Sequence, residues 1–258
     1  MPGRRDRATL AGATTGTVEA VWGATRTRQG CLRPAASSSN GKADMFKAVI
    51  WDFGGVFTTS PFEAFARFEA ERGLPRDFIR RINATNHLDN AWAKFERSEV
   101  TPAEFDALFA AEARALGHEV RGHEVIALLS GDVRPEMVTA LRRVKEAGLR
   151  VGCITNNVNA GEGAGMATSH DKARAVQAIM DEFEHIVESS KAGVRKPHPR
   201  IYRLALEALG VEGPQAVYLD DLGINCKAAH EQGMTAIKVT SARQAIADLE
   251  ATLGLALA

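Results

Sequence analysis

The stretch that decides the fold is FKAVIWDFGG, residues 46–55. It begins with a short apolar run rich in residues that favour β-strands, and it ends in Asp52 and a pair of glycines. An apolar run of this length between turn residues is typical of a strand that is buried on both faces of a parallel sheet. We therefore predict a central parallel strand over residues 46–51, with Asp52 at its carboxyl end.

Helix and strand patterns alternate through the second half of the chain. Helices are predicted over residues 137–147, 171–183, 200–209, 224–232 and 242–253, and strands over residues 149–154, 186–187, 216–219 and 236–239. Such alternation predicts an α/β fold with a doubly wound, Rossmann-like parallel sheet. In sheets of this kind, ligands bind at the carboxyl ends of the strands.

A helical block separates the first strand from the others. Over this block apolar residues recur with helical spacing and no strand pattern is present, and Thr101 and Glu104 have the spacing of an N-terminal capping box. We predict an all-helical cap over residues 61–129. It is inserted into a core domain that consists of residues 45–60 and 130–258.

The first 44 residues differ in composition from the rest of the chain. They are rich in Arg, Ser, Thr, Ala and Gly and show little apolar periodicity. We interpret residues 1–44 as a disordered N-terminal extension, or as the result of a start codon placed too early, because Met45 stands directly before the first strand. A segment rich in Arg and Ser and poor in acidic residues is also typical of a transit peptide, so that alternative stays open.

Charge and cysteine content argue against several classes of protein. The 258 residues include 32 Lys and Arg and 32 Asp and Glu, and this balance favours neither nucleic acid nor a membrane as a partner. No apolar run approaches the roughly 20 residues of a membrane helix. The cysteines, Cys31, Cys153 and Cys226, are far apart, which argues against a zinc site or a secreted disulfide framework. We expect a cytoplasmic protein; its oligomeric state is open, a homodimer included.

Polar residues stand at four points where the predicted sheet would bind a ligand. Asp52 ends the first strand, Thr155-Asn156-Asn157 follows the second, Lys196-Pro197 precedes a helix, and Asp220-Asp221 ends a later strand. Each element alone is ordinary turn chemistry, but in a parallel sheet they would converge on one crevice. Carboxylates and a lysine that lie together in one crevice would repel one another or stay unpaired without a bound cation and a bound anion. Mg²⁺, held by one or two carboxylates and a substrate phosphate, fits that set.

These elements resemble the motifs of the haloacid dehalogenase (HAD) superfamily, over about residues 46–254. The four motifs are WDFGGV at residues 51–56, ITNN at 154–157, KPHPRIY at 196–202 and YLDDLGIN at 218–225. Within the superfamily the chain is most similar to the N-terminal phosphatase domain of soluble epoxide hydrolase and to the HAD-like domain of multidomain acyl-CoA dehydrogenases. The helical block then corresponds to the cap that follows the first motif.

The resemblance implies a Mg²⁺-dependent phosphatase that acts on small phosphomonoesters. Asp52 would be the nucleophile and would form an aspartyl-phosphate. Asp52, the carbonyl oxygen of Gly54 and Asp221 would hold the Mg²⁺. The cap would close over the site and select the small phosphorylated substrate.

The resemblance also implies which residues bind the phosphoryl group. Thr155 and the amide of Asn156 would contact its oxygens, and Lys196 would pair with both Asp52 and the phosphate. Thr155 and Lys196 would therefore act in catalysis together with Asp52. Asp220 and Asn225 would support this arrangement through hydrogen bonds.

Gly54 departs from the family's pattern. HAD phosphatases usually have a second Asp two residues after the nucleophile, which protonates the leaving group and later activates water. Gly54 stands there instead. General acid–base catalysis is typically worth ~10²–10⁴ in rate, so we expect that contribution to be weakened. His198 in the third motif could donate a proton, but we interpret it as a residue of the loop before a helix.

Other functions stay open at this stage. A dehalogenase would also use Asp52, but it needs no metal, and the pair Asp220-Asp221 argues against it. A degenerate HAD module that binds a phosphorylated ligand or a partner is supported by Gly54 alone. A phosphotransferase would result if the aspartyl-phosphate were hydrolysed slowly.

Two further patterns are interpreted as structural. The stretch GEGAG, residues 161–165, lacks the spacing of a dinucleotide-binding loop and is interpreted as a surface loop. Trp92 and Phe95 are interpreted as packing residues at the centre of the cap.

Overall fold

The structure, a computed structural model, describes residues 45–158 and 170–257. Residues 1–44 and the stretch 161–165 lie outside the described residues. The described strands are β1 Ala48–Trp51, β2 Arg150–Thr155, β3 His185–Glu188, β4 Ala216–Asp220 and β5 Thr235–Lys238. They form one parallel sheet in the order β3-β2-β1-β4-β5. The predicted fold class, a doubly wound parallel sheet, is confirmed.

The block between β1 and β2 is helical. Its helices are α1 Pro61–Glu71, α2 Phe78–Ala84, α3 Ala91–Glu96, α4 Pro102–Ala115 and α5 Gly122–Ile126. They pack around an apolar cluster in which the rings of Phe95 and Phe105 stack with their centroids 4.4 Å apart. The capping box predicted at Thr101 and Glu104 is present. The cap boundaries at residues 61 and 129 stay a prediction, because Val158 from beyond β2 joins the same cluster.

Helices cover both faces of the sheet. They are α6 Pro135–Glu146, α7 His170–Met180, α8 Ser189–Ala192, α9 Pro199–Leu209, α10 Gly223–Glu231 and α11 Ala242–Leu253. Val49 and Trp51 pack in one apolar cluster with α6, α7 and α11. Ala48 and Ile50 pack in another with α9 and α10. Because neighbouring strand residues point to opposite faces, β1 is buried on both, as its apolar run predicts.

The sheet topology places its switch point beside Asp52. Trp51, the last residue of β1, pairs with Cys153 of β2 and with Leu219 of β4. The chain runs from β1 to β2 and β3 on one side, and then to β4 and β5 on the other. The carboxyl end of β1 is therefore the crevice at which doubly wound sheets bind ligands.

The structure differs from the sequence prediction mainly at element ends. The ladder of β1 begins at Ala48 rather than residue 46, and helix ends shift by up to three residues. The short helix α8 was not predicted, because four residues are too few to show helical periodicity. Among the described residues, no helix is both long enough and apolar enough to cross a membrane.

Candidate active site

Asp52 is buried at the carboxyl end of β1. Its backbone N–H donates to the carbonyl oxygen of Leu219 over 2.8 Å, which continues the β1–β4 pairing by one residue. Its Oδ1 accepts from the N–H of Phe53 at 2.7 Å and lies 2.7 Å from the Nζ of Lys196. The sheet and the turn therefore fix the carboxylate before any ligand binds.

The turn after Asp52 requires glycine at one position and tolerates a side chain at another. Gly55 has φ +75°, and a Cβ there would lie 2.3 Å from Oδ2 of Asp221. Glycine at that position therefore allows Asp221 to approach the turn closely. Gly54, by contrast, is exposed, and a Cβ there would have no atom within 4 Å.

Lys196 is fully buried, and its ammonium group contacts three acceptors. These are Oδ1 of Asp52 at 2.7 Å, Oδ2 of Asp220 at 2.9 Å and the carbonyl oxygen of Ile154 at 2.9 Å. Burial by itself would lower the pKa of Lys196, but the charges of Asp220 and Asp52 outweigh burial and raise it above its ordinary value. Lys196 is therefore a permanent positive charge beside Asp52.

Asp220 is completely buried and holds Lys196 in place. Its Oδ2 accepts from Tyr218 Oη at 2.6 Å and from Lys196. Its Oδ1 accepts from Leu222 N at 2.8 Å, and the side-chain amide of Asn225 lies 3.0 and 3.1 Å from the two oxygens. Since four donor groups occupy Asp220, its oxygens serve the network around Lys196 rather than an open ligand position.

Three carboxylates lie close together at this end of the sheet, and two of them, Asp52 and Asp220, contact the ammonium group of Lys196. One oxygen from each of Asp52, Asp220 and Asp221 lies within 4.8 Å of the others. Burial and the neighbouring charges of Asp220 and Asp221 raise the pKa of Asp52 despite the opposing effect of Lys196. Burial, and then Asp220, raise the pKa of Asp221 to about 6. This excess of negative charge, on hard oxygen ligands, fits a divalent cation. Because four donor groups already occupy Asp220, Asp52 and Asp221 are the two carboxylates of the group that could hold a metal ion.

The residues at and just after the end of β2 hold the neighbouring loops in place through hydrogen bonds. The side-chain oxygen of Asn156 accepts from the N–H of Lys196 at 2.8 Å, and its Nδ2 donates to the Lys196 carbonyl oxygen at 3.1 Å. Asn157 is buried and donates to Oε1 of Glu188 at 2.8 Å. Thr155 is buried as the last residue of β2. The side chain of Asn156 thus positions Lys196, and its backbone amide is the group that remains for a ligand.

A cavity of about 460 Å³ opens over this group of residues. Six residues predicted for the site line it: Asp52, Gly54, Thr155, Asn156, Lys196 and Asn225. Asp220 and Asp221 are not among the lining residues, but each has an oxygen within 4.8 Å of one from Asp52. The structure therefore brings all eight predicted residues together, six at the cavity surface and two beside Asp52.

The helical block supplies the opposite side of the cavity, which the sequence did not reveal. Its apolar residues, which we call the apolar wall, are Pro61, Phe62, Phe65, Ala84, Trp92 and Leu129. Its polar residues are Arg80, Asn83, His87 and Glu96, together with Arg195 from the core. Phe95 is core packing as predicted, and Trp92 also packs against the cap cluster as predicted, but it is partly exposed and lines the cavity as well. The helical pattern reveals a buried face, but it does not reveal which part of that face borders a cavity.

An ion pair joins the helical block to the loop that carries Lys196. Glu96 is buried and contacts the guanidinium group of Arg195, and it accepts a hydrogen bond from the indole N–H of Trp92 at 2.9 Å. Arg195 also donates to the carbonyl oxygen of His87 at 2.9 Å. The position of Arg195 directly before Lys196 was the signal that could have pointed to this contact.

His198 lies outside the cavity. It is exposed and precedes α9 as the N-cap, where its Nδ1 accepts from the N–H of Arg200 at 3.2 Å. The structure therefore agrees with the interpretation of His198 as a loop residue before a helix. In the described part of the chain the two cysteines, Cys153 and Cys226, are free and buried.

Comparison with protein families gives one match that spans most of the chain. The model of the haloacid dehalogenase-like hydrolase family matches residues 46–233. This agrees with the resemblance read from the four motifs.

Three relatives show how far the similarity extends. Acyl-CoA dehydrogenase family member 10 of Mus musculus is 30% identical over 217 residues, which are 82% of this chain and 20% of that protein. Bifunctional epoxide hydrolase 2 of Sus scrofa is 26% identical over 222 residues, which are 82% of this chain and 39% of that protein. Phosphatase MT3486 of Mycobacterium tuberculosis is 30% identical over 211 residues, 76% of this chain and 88% of that protein. The chain therefore spans a fifth to two fifths of the first two relatives and most of the third.

A solved structure shares the fold at low sequence identity. L-2-haloacid dehalogenase from Xanthobacter autotrophicus, with chloropropionic acid covalently bound, superposes with a TM-score of 0.51 and 19% identity. The match covers 83% of this chain and 85% of that one.

Proposed function

The chain belongs to the haloacid dehalogenase-like hydrolase family and is a hydrolase, and from this premise we propose that it is a Mg²⁺-dependent phosphatase of phosphomonoesters. The observation that carries the proposal is the buried carboxylate of Asp52, which faces Lys196 at 2.7 Å at the base of a cavity. Attack on an anionic phosphoryl group requires a nucleophile beside a fixed positive charge, which here is the ammonium group of Lys196.

In the proposed reaction, Asp52 attacks the phosphorus and the bond to the alcohol oxygen breaks. The described hydrogen bonds of the Asp52 side chain are all made by Oδ1, so Oδ2 is the attacking atom. Water then attacks the aspartyl-phosphate and releases inorganic phosphate, which regenerates the carboxylate. Lys196 offsets negative charge on the phosphoryl oxygens through both steps.

The neighbouring residues bind and orient the phosphoryl group. The hydroxyl of Thr155 and the backbone N–H of Asn156 donate to its oxygens. Asp220 and Asn225 hold Lys196 at the correct distance through the contacts of Asp220 with both.

Asp52, the carbonyl oxygen of Gly54 and Asp221 are the ligands that would hold Mg²⁺. Asp220 is not part of this set, because four donor groups already occupy its oxygens. When bound, Mg²⁺ neutralises charge on the carboxylates and on the phosphate. The acidic group also weighs against the dehalogenase alternative, since that reaction needs no metal.

Gly54 distinguishes this site from that of a phosphatase with a full acid–base pair. Without a carboxylic acid there, the leaving alcohol receives no proton from that position, and water receives no base. Esters of acidic alcohols, such as aryl phosphates, are therefore better substrates than simple alkyl phosphates. Slow hydrolysis of the aspartyl-phosphate also keeps transfer to another acceptor open as a second function.

The relatives support a phosphatase. Phosphatase MT3486, which carries that activity in its name, is similar over most of its length. The chain corresponds to a minor part of the other two relatives, so the activities of their remaining parts are not transferred to it.

The test is hydrolysis of p-nitrophenyl phosphate and of a panel of phosphorylated metabolites by the full chain. We expect turnover with Mg²⁺, loss of turnover in EDTA and recovery when Mg²⁺ is restored. Full activity in EDTA would overturn the proposal, and release of chloride from 2-chloropropionate would then establish a dehalogenase.

A further inference from the structure

Building on the proposed function, we propose that the cavity selects phosphomonoesters whose alcohol is a bulky apolar group. The apolar part lies against the apolar wall. The phosphate occupies the end of the cavity formed by Asp52 and Lys196.

The apolar wall presents hydrocarbon surface to the cavity rather than to a protein core. Phe62, Trp92 and Leu129 are each partly exposed and line the cavity. From the core, Leu222 and Ile224 face the same space, and Ile224 is 52% exposed. Apolar surface around a cavity of about 460 Å³ is typical of a site for a ligand of drug-like size, since such sites span roughly 300–1,000 Å³. A ligand that covers this surface gains the free energy of its removal from water.

The charged residues around the apolar wall are already paired. Arg195 contacts Glu96 and the carbonyl oxygen of His87. The guanidinium group of Arg80 lies 4.5 Å from the ring centroid of Phe62, and its Nη1 is 3.3 Å from Oδ1 of Asp77. A second phosphate or carboxylate on the substrate would have to displace one of these contacts. The arrangement therefore disfavours sugar bisphosphates and phosphorylated acids.

The first experiment uses phosphate esters of phenol, 4-ethylphenol, 4-butylphenol and 4-hexylphenol. The acidity of the leaving phenol hardly changes along this series, so differences report on binding of the tail. We expect KM to fall by roughly fourfold per buried methylene until the cavity is filled, with kcat nearly constant. A KM that stays constant or rises along the series would overturn the proposed substrate class.

A binding measurement separates this proposal from the proposed function. Calorimetry with n-alkylphosphonates, which are not hydrolysed, should give a Kd that falls with chain length. Tighter binding of longer tails without hydrolysis of any ester would overturn the phosphatase and leave the apolar site supported. Hydrolysis of the esters together with a Kd that does not change with chain length would support the phosphatase and overturn the apolar site.

Two leucines offer a matched pair of variants. Leu129→Ala removes part of the apolar wall and should raise KM for 4-butylphenyl phosphate more than for phenyl phosphate. Leu108→Ala is the control, because Leu108 is 39% exposed on α4 and does not line the cavity. Equal effects of the two substitutions on the chain-length profile would contradict the assignment of the apolar wall.

Discussion

Asp220, on the core side of the cavity, receives hydrogen bonds from four donor groups, whereas Phe62, Trp92 and Leu129, on the helical side, present hydrocarbon surface to it. The core side of the cavity is thus an internally satisfied polar network, and the helical side is an apolar surface that is still partly exposed. In the proposed function, the groups for the reaction are positioned before any substrate arrives, while the apolar surface of the helical side is covered by the substrate itself.

The largest effect is expected from a substitution on the core side of the cavity. Asp52→Asn should reduce turnover of p-nitrophenyl phosphate by more than roughly 10², because an amide of nearly equal volume is a poor nucleophile. Steady-state kinetics measure the loss, and the control is an unchanged melting temperature. Residual activity above about one hundredth of the unsubstituted protein's would argue against a covalent intermediate on Asp52.

The second prediction concerns Gly54, where the core side of the cavity lacks the acidic side chain that HAD phosphatases usually have. Gly54→Asp has room for its Cβ, and it should raise kcat/KM for alkyl phosphates by up to about 10², the lower end of what acid–base catalysis supplies. Aryl phosphates, whose leaving groups need no proton, should change less. Rates that are already equal for alkyl and aryl phosphates before substitution would show that another group acts as the acid.

The third prediction concerns Asp221. Asp221→Ala removes a proposed carboxylate ligand and should raise the Mg²⁺ concentration for half-maximal activity by at least about tenfold. Titration of activity and calorimetry with Mg²⁺ measure the change. Ser60→Ala is the milder control, since Ser60 donates to Asp221 over 3.4 Å without offering a charge. An unchanged Mg²⁺ requirement in Asp221→Ala would remove Asp221 from the ligand set.

The fourth prediction follows from the raised pKa of Asp221, which burial shifts to about 6. In the metal-free protein Asp221 keeps its proton up to that pH, so its contribution to the free energy of unfolding falls as the pH rises from 3.8 to about 6. Mg²⁺ needs the carboxylate, so its affinity should fall by about tenfold per pH unit below pH 6. Mg²⁺ titrations across that range test this, and an affinity that does not change below pH 6 would contradict it.

The smallest expected effect tests the helical side. Glu96→Gln leaves Arg195 without its counter-charge, while the side chain of Arg195 is 20% exposed and can relax toward water. We expect KM for 4-butylphenyl phosphate to rise severalfold, with a smaller change in kcat. Glu99→Gln is the matched control, because Glu99 pairs with Arg97 at the surface. A fall in kcat as large as the rise in KM would show that this contact serves the reaction and not only substrate binding.

The two sides of the cavity also differ in what the sequence predicts. Asp52, Thr155, Lys196 and Asp221 stand at strand ends or at a helix start, and a parallel sheet must bring such positions together. The sequence of β1, a strand of only four residues, is therefore enough to predict where the site lies. The helical pattern predicts that Trp92 packs in the cap, and it does, but the pattern does not show that the same side chain also borders a cavity. Likewise, the partner of Glu96 lies 99 positions along the chain, at Arg195, and no local pattern connects them.

The ammonium group of Lys196 has three hydrogens and already contacts three acceptors. An incoming phosphate can therefore gain a hydrogen bond from Lys196 only if an existing one is given up. In the proposed reaction the bond to exchange would be the one to Asp52, because the carboxylate would lose its charge once it is phosphorylated. Inorganic phosphate, which would leave Asp52 ionised, would have to compete with that carboxylate for the same hydrogen. We therefore expect inorganic phosphate to gain less from Lys196 than the phosphorylated intermediate does, which would favour departure of the product.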